Sequence, residues 1–386
     1  MSRPHQLRPS SSSPREVLIA LAAAPTLGRP PFYRLAEELP LFLAGAAEGA
    51  PAALLAARLG LPPAPVETAL AALPAAAAVA RRELARAAKL DAAVMTRLDA
   101  DYPPALLPLA LAPPVLWLRG ALPAGPALAV VGSRRADPYG KETAELLARE
   151  LAAAGVAIVS GFARGIDAAA HRGALAAPGG RTVAVLGCGL GVDYPRGHRR
   201  LGDEVAARGA LVSEFPCGWS ALARHFPIRN RLIAALSAGT LVVEAAARSG
   251  SLVTARHALE LGRDVLAVPG RIFDEKALGP NSLLRDGAVL VRHPRDVLEA
   301  LWPEMLAPRA RDAGAAEDAP ATSGRGVPPG PAGELLAALP PATEVAPEEA
   351  AARARRPVAQ ALAELLELEL GGWVRRLPGP AYVRVP

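Results

Sequence analysis

The sequence has few cysteines and aromatic residues, and no long apolar run without interruption. Its 386 residues include two cysteines, Cys188 and Cys217, which are too few for a disulfide framework and suit packing in a reducing cytoplasm. Pro, Gly, Arg or Glu interrupts every Ala/Leu-rich stretch before the ~20 residues that span a bilayer, so we expect no transmembrane segment. The N-terminus lacks the apolar core and cleavage site of a signal peptide. These absences predict a cytoplasmic protein.

The charge is a modest surplus of one sign. Lysine and arginine together number 43 against 37 acidic residues, which gives a net charge of +6. Such a surplus favours an acidic partner such as nucleic acid, although ordinary soluble proteins of this length also carry it. The charge alone therefore does not decide the function.

The length exceeds what one hydrophobic core usually organises, and the composition changes along the chain. Apolar residues three and four apart predict helices in the first quarter, and a stretch rich in Ala, Gly, Pro and Asp predicts a linker after residue 305. Helices followed by a short hairpin predict a winged helix at the end. The predicted segments are a disordered tail (1–14), a helical domain (15–98), a Rossmann-like domain (99–305), a linker (306–331) and a winged-helix domain (332–386).

Seven short apolar runs alternate with helical segments in the central domain, which predicts an α/β fold with a parallel sheet and helices on both faces. A short edge strand is also expected at Val115–Leu118. The seven predicted strands are Leu128–Val131, Val156–Ser160, Thr182–Leu186, Ala210–Glu214, Leu241–Glu244, Val265–Val268 and Val289–Val291.

The first strand runs directly into Gly132, Ser133 and Arg134. Ligands of open α/β sheets bind beyond the carboxyl ends of the strands, where a helix N-terminus favours an anion. Arg134 is therefore the leading candidate for a phosphate contact, because a guanidinium can hold phosphate with two hydrogen bonds. The alternative is that Gly132 only permits a tight turn and that Arg134 is solvated.

The dinucleotide-binding fingerprint is absent, because Arg134 and Asp137 stand where its second and third glycines belong. We therefore expect no nicotinamide cofactor. The loop after the second strand supplies further candidates for DNA contact, in which two glycines allow a close backbone approach. They are Gly161, Phe162, Arg164 and Gly165.

Asp167 and His171 follow this loop, on the next helix. Asp167 can cap the helix. We interpret His171 as a core residue rather than a ligand, because no second His or Cys stands at metal-ligand spacing. The sequence predicts no metal site.

Later loops at the same sheet edge add aromatic and basic residues. Tyr194 is placed to stack on a base, or else it packs its own loop. The segment with Arg224, Phe226, Arg229, Asn230 and Arg231 interleaves cations with an aromatic ring, as a groove for single-stranded nucleic acid requires. Alternatively, Arg229 and Arg231 pair with Glu214 or Glu244 and rigidify the core, and we expect the cluster to combine both roles. Helix capping and anion binding are expected at Ser249, Gly250 and Ser251.

The order and spacing of these motifs resemble the DNA-processing protein A (DprA/Smf) family over roughly residues 101–301. The motifs that carry the resemblance are Gly132-Ser133-Arg134, residues 160–167 with His171, Phe226-Pro227 through Ala234, Ser249-Gly250-Ser251 with Thr254, and Val268-Pro269-Gly270 with Asn281.

The resemblance implies an extended Rossmann fold preceded by a helical SAM-like domain and followed by a winged helix. It implies a non-enzymatic, homodimeric protein without cofactor, which binds and protects single-stranded DNA in natural transformation and loads the recombinase RecA while displacing single-strand-binding protein. The phosphate-binding arginine of the family falls on Arg134, and two further basic positions fall on Arg181 and Arg224. His198 and Ala235 depart from the family pattern, where Asn and Gly are common.

Two alternatives remain open. A nucleotide-processing enzyme related to phosphoribohydrolases would use Glu244 as its carboxylate, although the Pro-Gly-Gly-x-Gly-Thr-x-x-Glu signature of those enzymes is absent. A regulator that binds duplex DNA would use the C-terminal basic residues. We expect the dimer surface in the segment 273–291. The C-terminal candidates are Arg353, Arg355, Arg356, Arg375 and Arg376.

Overall fold

The computed structural model of the protein describes residues 12–306, 330–340, 344–370, 373–376 and 381–384. These residues form two compact units, one on each side of the gap between residues 306 and 330. The predicted tail lies outside the described residues up to residue 11, and so does the predicted linker from residue 307 to 329. The predicted domain boundaries therefore stay predictions.

The first unit combines helices with one large sheet. Its helices are α1 (Pro14–Ala22), α2 (Arg29–Glu37), α3 (Leu39–Ala47), α4 (Ala52–Leu59), α5 (Pro63–Ala72), α6 (Ala76–Ala88), α7 (Pro138–Ala153), α8 (Ile166–Ala176), α9 (Arg199–Ala207), α10 (His225–Ala235), α11 (Ser251–Glu260), α12 (Leu278–Arg285) and α13 (Pro294–Leu301). Its strands are β1 (Ala92–Thr96), β2 (Val115–Gly120), β3 (Ala127–Val131), β4 (Ala157–Ser160), β5 (Thr182–Leu186), β6 (Gly209–Ser213), β7 (Gly239–Val242), β8 (Asp264–Ala267) and β9 (Val289–Leu290).

The sheet has the order β1-β2-β6-β5-β4-β3-β7-β8-β9. Strands β3 to β9 are parallel to one another, whereas β1 and β2 are antiparallel to their neighbours. Strand β3 pairs on one side with β4, at Leu128 with Ile158, and on the other side with β7, at Leu128 with Gly239. The chain therefore adds strands first in one direction and then in the other, and the switch point lies between β3 and β7.

All seven predicted strands are present, so the predicted α/β class with a parallel Rossmann-like sheet is confirmed. Strand β2 at Val115–Gly120 confirms the predicted short strand, but it is not the edge, because β1 pairs outside it. Strand β1 falls within the range predicted to be helical. Its alanine-rich residues 92–96 give no strand signal of their own, and their pairing with β2, for example Val94 with Trp117, fixes their conformation.

The N-terminal helices begin at a capping box. The Ser13 side chain accepts a hydrogen bond from the Glu16 amide, and the Glu16 carboxylate accepts one from the Ser13 amide at 2.7 Å. The apolar faces of these helices share one core with the loops that follow β4 and β5, in which Phe42 and Leu55 belong to the same buried cluster as Leu190. The helices are therefore continuous with the sheet in packing.

By length and hydropathy, the stretch Pro63–Ala88 could cross a membrane, a property that the sequence prediction did not recognise. In the structure a 3₁₀ turn at Leu73–Ala75 divides it into α5 and α6. Helix α6 packs on α1, and its buried Glu83 carboxylate accepts a hydrogen bond from the Cys217 amide at 2.7 Å. The stretch thus contributes to the core of the helical part.

Both cysteines are buried and free, which confirms that they are packing residues. Burial raises the pKa of the Cys188 thiol to about 11 and that of the Cys217 thiol to about 12. Both thiols are therefore protonated at neutral pH, which makes them poor nucleophiles.

The second unit has helices followed by a hairpin, as the sequence predicted, and also a short strand after its first helix, which the sequence did not indicate. Its elements are α14 (Pro331–Ala338), β10 (Glu344–Val345), α15 (Pro347–Ala354), α16 (Val358–Leu370), β11 (Val374–Arg376) and β12 (Tyr382–Arg384), with the strand order β10-β12-β11. Its core includes Leu335, Leu365 and Tyr382. Three helices and a three-stranded antiparallel sheet are the arrangement of a winged helix.

A buried ionic network joins the helical part to the sheet. The carboxylate of Glu214, which follows β6, accepts two hydrogen bonds from the Arg231 guanidinium of α10, at 2.9 and 2.8 Å, and one from the Tyr33 hydroxyl of α2, at 2.5 Å. Burial raises the pKa of Tyr33, and the neighbouring Glu214 raises it further. All three side chains are buried, so the loss of the carboxylate would leave an uncompensated charge in the interior.

We therefore expect Glu214→Gln to lower the free energy of unfolding by about 3–5 kcal/mol, because Arg231 loses its buried counter-charge. Thermal unfolding followed by circular dichroism measures the effect. Glu204→Gln is the matched control, since Glu204 pairs with Arg200 on the surface and such a pair contributes about 1 kcal/mol at most. Equal midpoints for the two variants would show that the network does not hold the fold together.

Candidate nucleic-acid interface

A cleft of about 650 Å³ lies at the switch point, beyond the carboxyl ends of β3 and β7. The loops after these strands form two of its walls, and the first turns of α10 and α11 complete it. Ten of the seventeen predicted DNA-contact residues line it: Gly132, Ser133, Arg134, Tyr194, Phe226, Arg229, Asn230, Ser249, Gly250 and Ser251.

The loop after β3 is held by backbone contacts. The Ser133 amide donates to the Glu244 carbonyl at 2.7 Å, and the Ser133 carbonyl accepts from the Ile166 amide at 3.2 Å. Gly165 has φ +80°, and a Cβ there would lie 2.1 Å from the Ser133 carbonyl oxygen. Only glycine allows this approach, so Gly165 positions the loop that carries Arg134 and is not itself part of the cleft lining.

Arg134 projects from this loop over an aromatic ring. Its guanidinium carbon lies 4.8 Å from the centroid of the Phe226 ring, and the Tyr194 ring lies 5.3 Å from the same ring. Arg134 is exposed, and no carboxylate pairs with it among the residues that the structure describes. The cleft therefore presents a free guanidinium beside two rings, which suits a phosphate and the base attached to it.

Arg229 lies on the floor of the cleft, where three of its five N–H groups already donate within the protein. Its guanidinium donates to the carbonyls of Gly161 and Val185 and, at 3.2 Å, to the Asn230 side chain. Burial lowers the pKa of Arg229 to about 10, and the neighbouring Asp167 opposes this effect. The interpretation that Arg229 rigidifies the core is correct. Its partners, however, are backbone carbonyls and not the expected carboxylates of Glu214 or Glu244.

Arg231 does not belong to the cleft, and its prediction as a DNA contact is corrected. All five of its N–H groups donate within the protein: two to Glu214, two to the Leu111 carbonyl and one to the Ile228 carbonyl. No donor remains for a phosphate. Arg231 instead joins α10 to the strand-end loop that holds Glu214.

Asn230 and the serines of the next loop close the remaining wall. The Asn230 side-chain amide donates to the Gly250 carbonyl at 3.1 Å, which ties α10 to the start of α11. The Ser249 and Ser251 hydroxyls lie 2.7 Å apart, and the Ser249 hydroxyl also accepts from the Ser251 amide at 3.3 Å. The N-terminus of α11 therefore opens onto the cleft with hydroxyl donors beside it, as an anion site requires.

Several predicted residues lie elsewhere. Phe162, with φ +61°, turns its ring toward His171 and His198, at 5.7 and 5.4 Å, and lines a different cavity of about 390 Å³. Gly161 lies beneath the cleft floor, where a Cβ would collide with Arg229 and with the Asp167 carboxylate. The cleft lining does not include them.

The remaining basic candidates are dispersed. Arg164 lies in the loop after β4, where it is exposed and does not line the cleft. Arg181 precedes β5, so it lies at the amino edge of the sheet, opposite the cleft, where its guanidinium donates to the Gly155 carbonyl at 3.4 Å. This corrects the expectation that it joins the same groove. Arg224, the N-cap residue of α10, lines a smaller cavity next to the cleft.

The other sequence interpretations concern Asp167 and His171. Asp167 lies in the first turn of α8, where its carboxylate accepts from the Ala163 amide at 3.1 Å. Burial raises its pKa, and Arg229 opposes this effect. His171 is a core residue, as predicted: its Nδ1 lies 2.7 Å from the Thr182 hydroxyl, and burial lowers its pKa to about 3. Within the described ranges, no group of three or more His, Cys, Asp or Glu side chains is arranged to hold a metal ion.

Glu244 faces a second cavity, of about 640 Å³, rather than the cleft that contains Arg134. Its side chain lies against Gly140 in the first turn of α7, next to Asp137. Burial is the main cause that raises the pKa of Glu244 to about 7, and the Asp137 carboxylate adds to it. By contrast, the hydrogen bond from the Gly140 amide, at 2.8 Å, lowers the pKa of Asp137. The carboxylate of the enzyme alternative is thus separated from the predicted phosphate contact.

The sequence did not indicate the contribution of the N-terminal helices to this region. Arg29 of α2 and Arg224 line the same small cavity, and Tyr33 of α2 binds Glu214. No local signal reveals these contacts, because they join residues about 180 positions apart, as Tyr33 and Glu214 show.

The cleft and the sheet together define a Rossmann-like protein with a basic and aromatic cleft at its switch point. The family model described as DNA recombination-mediator protein A matches residues 93–302, and that of the DprA winged helix domain matches residues 315–380. The chain belongs to the DNA-processing protein A (DprA/Smf) family.

Individual relatives agree with this assignment. The protein Smf of Escherichia coli is 45% identical over 299 residues, which cover 74% of this chain and 75% of the relative. The DprA of Streptococcus pneumoniae is 44% identical over 203 residues, 52% of this chain and 71% of that protein, and a solved DprA structure from the same species superposes with a TM-score of 0.63 at 34% identity, covering 75% of this chain and 98% of that one.

A DprA of Helicobacter pylori, solved in a study of its single-stranded DNA binding mode, superposes with a TM-score of 0.50 at 30% identity and covers 55% of this chain and 96% of that one. The predicted family and fold, with the winged helix, are therefore confirmed.

The pair of carboxyl groups of Glu244 and Asp137 predicts that the stability of the fold depends on pH. The pKa of Glu244 rises from its ordinary value of 4.5 to about 7 on folding, so between these pH values the folded protein binds more protons than the unfolded chain. This contribution to stability is complete below about pH 4.5 and is lost as the pH rises to about 7. Since Glu244→Gln removes the titration, we expect its thermal midpoint to rise relative to wild type between pH 5 and pH 8. A difference that stays constant across this range, as we expect for the exposed control Glu204→Gln, would contradict the assignment.

Proposed function

We propose that this protein binds and protects single-stranded DNA in the switch-point cleft and loads the recombinase RecA onto it, in the cytoplasm, during transformation or recombination. The observation that carries the proposal is the unpaired Arg134 guanidinium stacked 4.8 Å from the Phe226 ring at the mouth of the cleft. The single-strand binding of the Helicobacter pylori relative supports it.

The division of labour in the cleft follows from its chemistry. Arg134 is free to hold a phosphate, with the N-terminus of α11 opposite, and Phe226 fixes the guanidinium from below. Tyr194 is 37% exposed, so a base can stack on it without a specific hydrogen bond. Such a site binds the backbone and the flat face of a base, and therefore tolerates different sequences. A duplex hides its base faces, which is the reason to expect a preference for single strands.

The enzyme alternative is less well supported. Glu244 points into a different cavity from Arg134, so no carboxylate of the expected role meets the phosphate contact. Asp167, which does line the cleft, lies on its floor beside Arg229 and accepts a backbone hydrogen bond. We therefore propose a binding function without catalysis.

The alternative of a duplex-DNA regulator would use the basic residues of the C-terminal unit. One of them, Arg356, is already paired with Glu334 and Glu364, which weakens this alternative.

We expect Arg134→Ala to weaken binding of a labelled single strand about 10- to 100-fold, because a charge-assisted contact is lost, and to reduce the slope of log affinity against log salt by about 0.7. Tyr194→Ala should weaken binding through lost stacking and leave that slope unchanged. Fluorescence anisotropy at two salt concentrations, with single- and double-stranded oligonucleotides, measures both. Arg149→Ala is the control, since Arg149 is exposed near the far end of α7.

Wild-type affinity in Arg134→Ala, or a preference for duplex, would refute the assigned cleft. The same variants test the delivery of RecA. On a strand coated with single-strand-binding protein, the wild-type protein should start ATP hydrolysis by RecA without a lag, whereas Arg134→Ala should not. If both proteins act alike, loading does not depend on this cleft.

We also propose that the protein is a homodimer through the surface around α12 and β9. Strand β9 is the edge of the sheet, and its Leu290 is 45% exposed; Ile272 and Phe273, in the loop after the neighbouring strand β8, are 73% and 93% exposed. Exposed apolar side chains beside a free strand edge are typical of an interface. This surface lies within the segment expected from the sequence, extended by Ile272.

Phe273→Glu should therefore give a monomer in sedimentation equilibrium where the wild type gives a dimer, because a buried charge opposes association. Leu259→Glu, which changes a 60% exposed leucine of α11, is the control and should remain dimeric. A dimer of unchanged stability in Phe273→Glu would place the interface elsewhere.

A further inference from the structure

A cavity of about 260 Å³ lies between α2 and the first turn of α10, beside the cleft. We call it the Arg29 cavity. Its polar lining consists of Arg29 from α2 and of Arg224 and His225 from α10, and the Trp219 and Phe32 rings form apolar walls. The helical part of the unit supplies one wall, and the sheet part supplies the other.

The charges around Arg29 do not balance. The carboxylate near it is Glu214, which also faces Arg231. Both oxygens of Glu214 are taken, by two N–H groups of Arg231 and by the Tyr33 hydroxyl. Among the residues that the structure describes, two guanidinium groups therefore share one carboxylate, so one of their two positive charges is not balanced there. Arg224 adds a second, exposed cation at the rim.

Arg29 is held in place by rings and not by acceptors. Its guanidinium carbon lies 4.9 Å from the Phe215 ring centroid, 5.1 Å from that of Trp219 and 5.8 Å from that of Phe32. Its buried Nη2 has no hydrogen-bond partner in the part of the chain that the structure describes. Burial lowers the pKa of Arg29, although the group stays charged at neutral pH. A buried donor without an acceptor is energetically unfavourable, more so when it is charged, so an anion in the cavity would be favoured.

The cavity and the cleft are two sides of one helical turn. Phe226 and Pro227 line the cleft, whereas His225 and Ile228 of the same turn line the Arg29 cavity. Arg224 stands at the start of this turn. A strand that leaves the cleft past the first turn of α10 would therefore pass the cavity that Arg224 and Arg29 line.

We propose that the Arg29 cavity binds a second phosphodiester of the same single strand, with Arg29 and Arg224 as its donors. The inference rests on the proposed function, since the cleft must hold the first phosphate. It assigns to the N-terminal helices a direct part in DNA binding. It also explains the unequal surroundings of the two arginines of this network, because Arg231 is saturated by protein acceptors whereas Arg29 is not.

The test compares a trinucleotide, which fills the cleft alone, with an oligothymidylate of about 15 nucleotides, which can reach both sites. Arg29→Met keeps an apolar stem against the three rings and removes the donors. Arg224→Met makes the same change at an exposed position that leaves the fold intact. Arg34→Met, on the same helix as Arg29 but paired with Glu37 on the surface, is the matched control.

We expect Arg29→Met and Arg224→Met each to weaken binding of the long strand about 5- to 10-fold and to lower its salt slope by about 0.7, because one phosphate contact is lost. Binding of the trinucleotide should stay as in wild type, and Arg34→Met should match wild type with both. Arg29→Lys should retain the salt slope, since the charge remains. Thermal unfolding verifies that each variant is folded, and if Arg29→Met is not, Arg224→Met still decides the question.

Three outcomes would overturn the proposal. If both methionine variants bind the long strand as tightly as wild type while Arg134→Ala does not, the cleft is correct and the cavity only joins α2 to α10. If they bind DNA normally but fail to deliver RecA, the cavity holds an acidic protein segment instead. If wild type binds neither oligonucleotide, the proposed function fails first, and the inference fails with it.

Discussion

The floor of the cleft depends on one buried cation, the Arg229 guanidinium. It donates to the carbonyl of Gly161, which follows β4, and to that of Val185, the last residue but one of β5, and it lies beside the buried Asp167. A guanidinium removed from water needs hydrogen-bond acceptors. Here the acceptors are backbone carbonyls near the strand ends, where the pairing between parallel strands stops. The same bonds fix the loops after β4 and β5 relative to α10. Phe226, one turn before Arg229 on that helix, is thereby positioned beneath Arg134.

The same constraint operates at the join between the helices and the sheet. Glu214 follows β6 and must be neutralised because it is buried, so α10 supplies Arg231 and α2 supplies Tyr33. The network orients α2 against the aromatic side chains after β6, and this places Arg29 among three rings. The helical part is therefore not an independent attachment. Its position is set by the charge balance of the sheet's loops, and it brings a cation to the side of the cleft as a consequence.

How far the sequence predicts this structure depends on the range of the interactions. The strands and the loops at their carboxyl ends are local features, so the apolar runs locate the sheet and Gly132 to Arg134 mark the switch point. The short strand β1 escapes prediction because only its pairing with β2 defines it. The pairing of Arg231 with Glu214 is confirmed as one of the expected alternatives, whereas the saturation of Arg231 escapes prediction, because a further acceptor is the Leu111 carbonyl, 120 residues away. Arg181 is a different case. It fits the family motif, but a basic residue that directly precedes a parallel strand lies at the amino edge of the sheet, opposite the cleft.

The electrostatic character of the site is consequently not a matter of net charge. The surplus of +6 is small, and two of the arginines closest to the cleft floor, Arg229 and Arg231, donate to protein acceptors. What distinguishes the region is the placement of two other arginines. Arg134 stacks on the Phe226 ring and is not paired with a carboxylate among the described residues. Arg29 lies near Glu214, but Glu214 pairs with Arg231. Each of these cations is preorganised by aromatic contacts that supply no counter-charge. A polyanion gains most at such positions, because binding there requires neither the breaking of an internal ion pair nor the ordering of a flexible side chain.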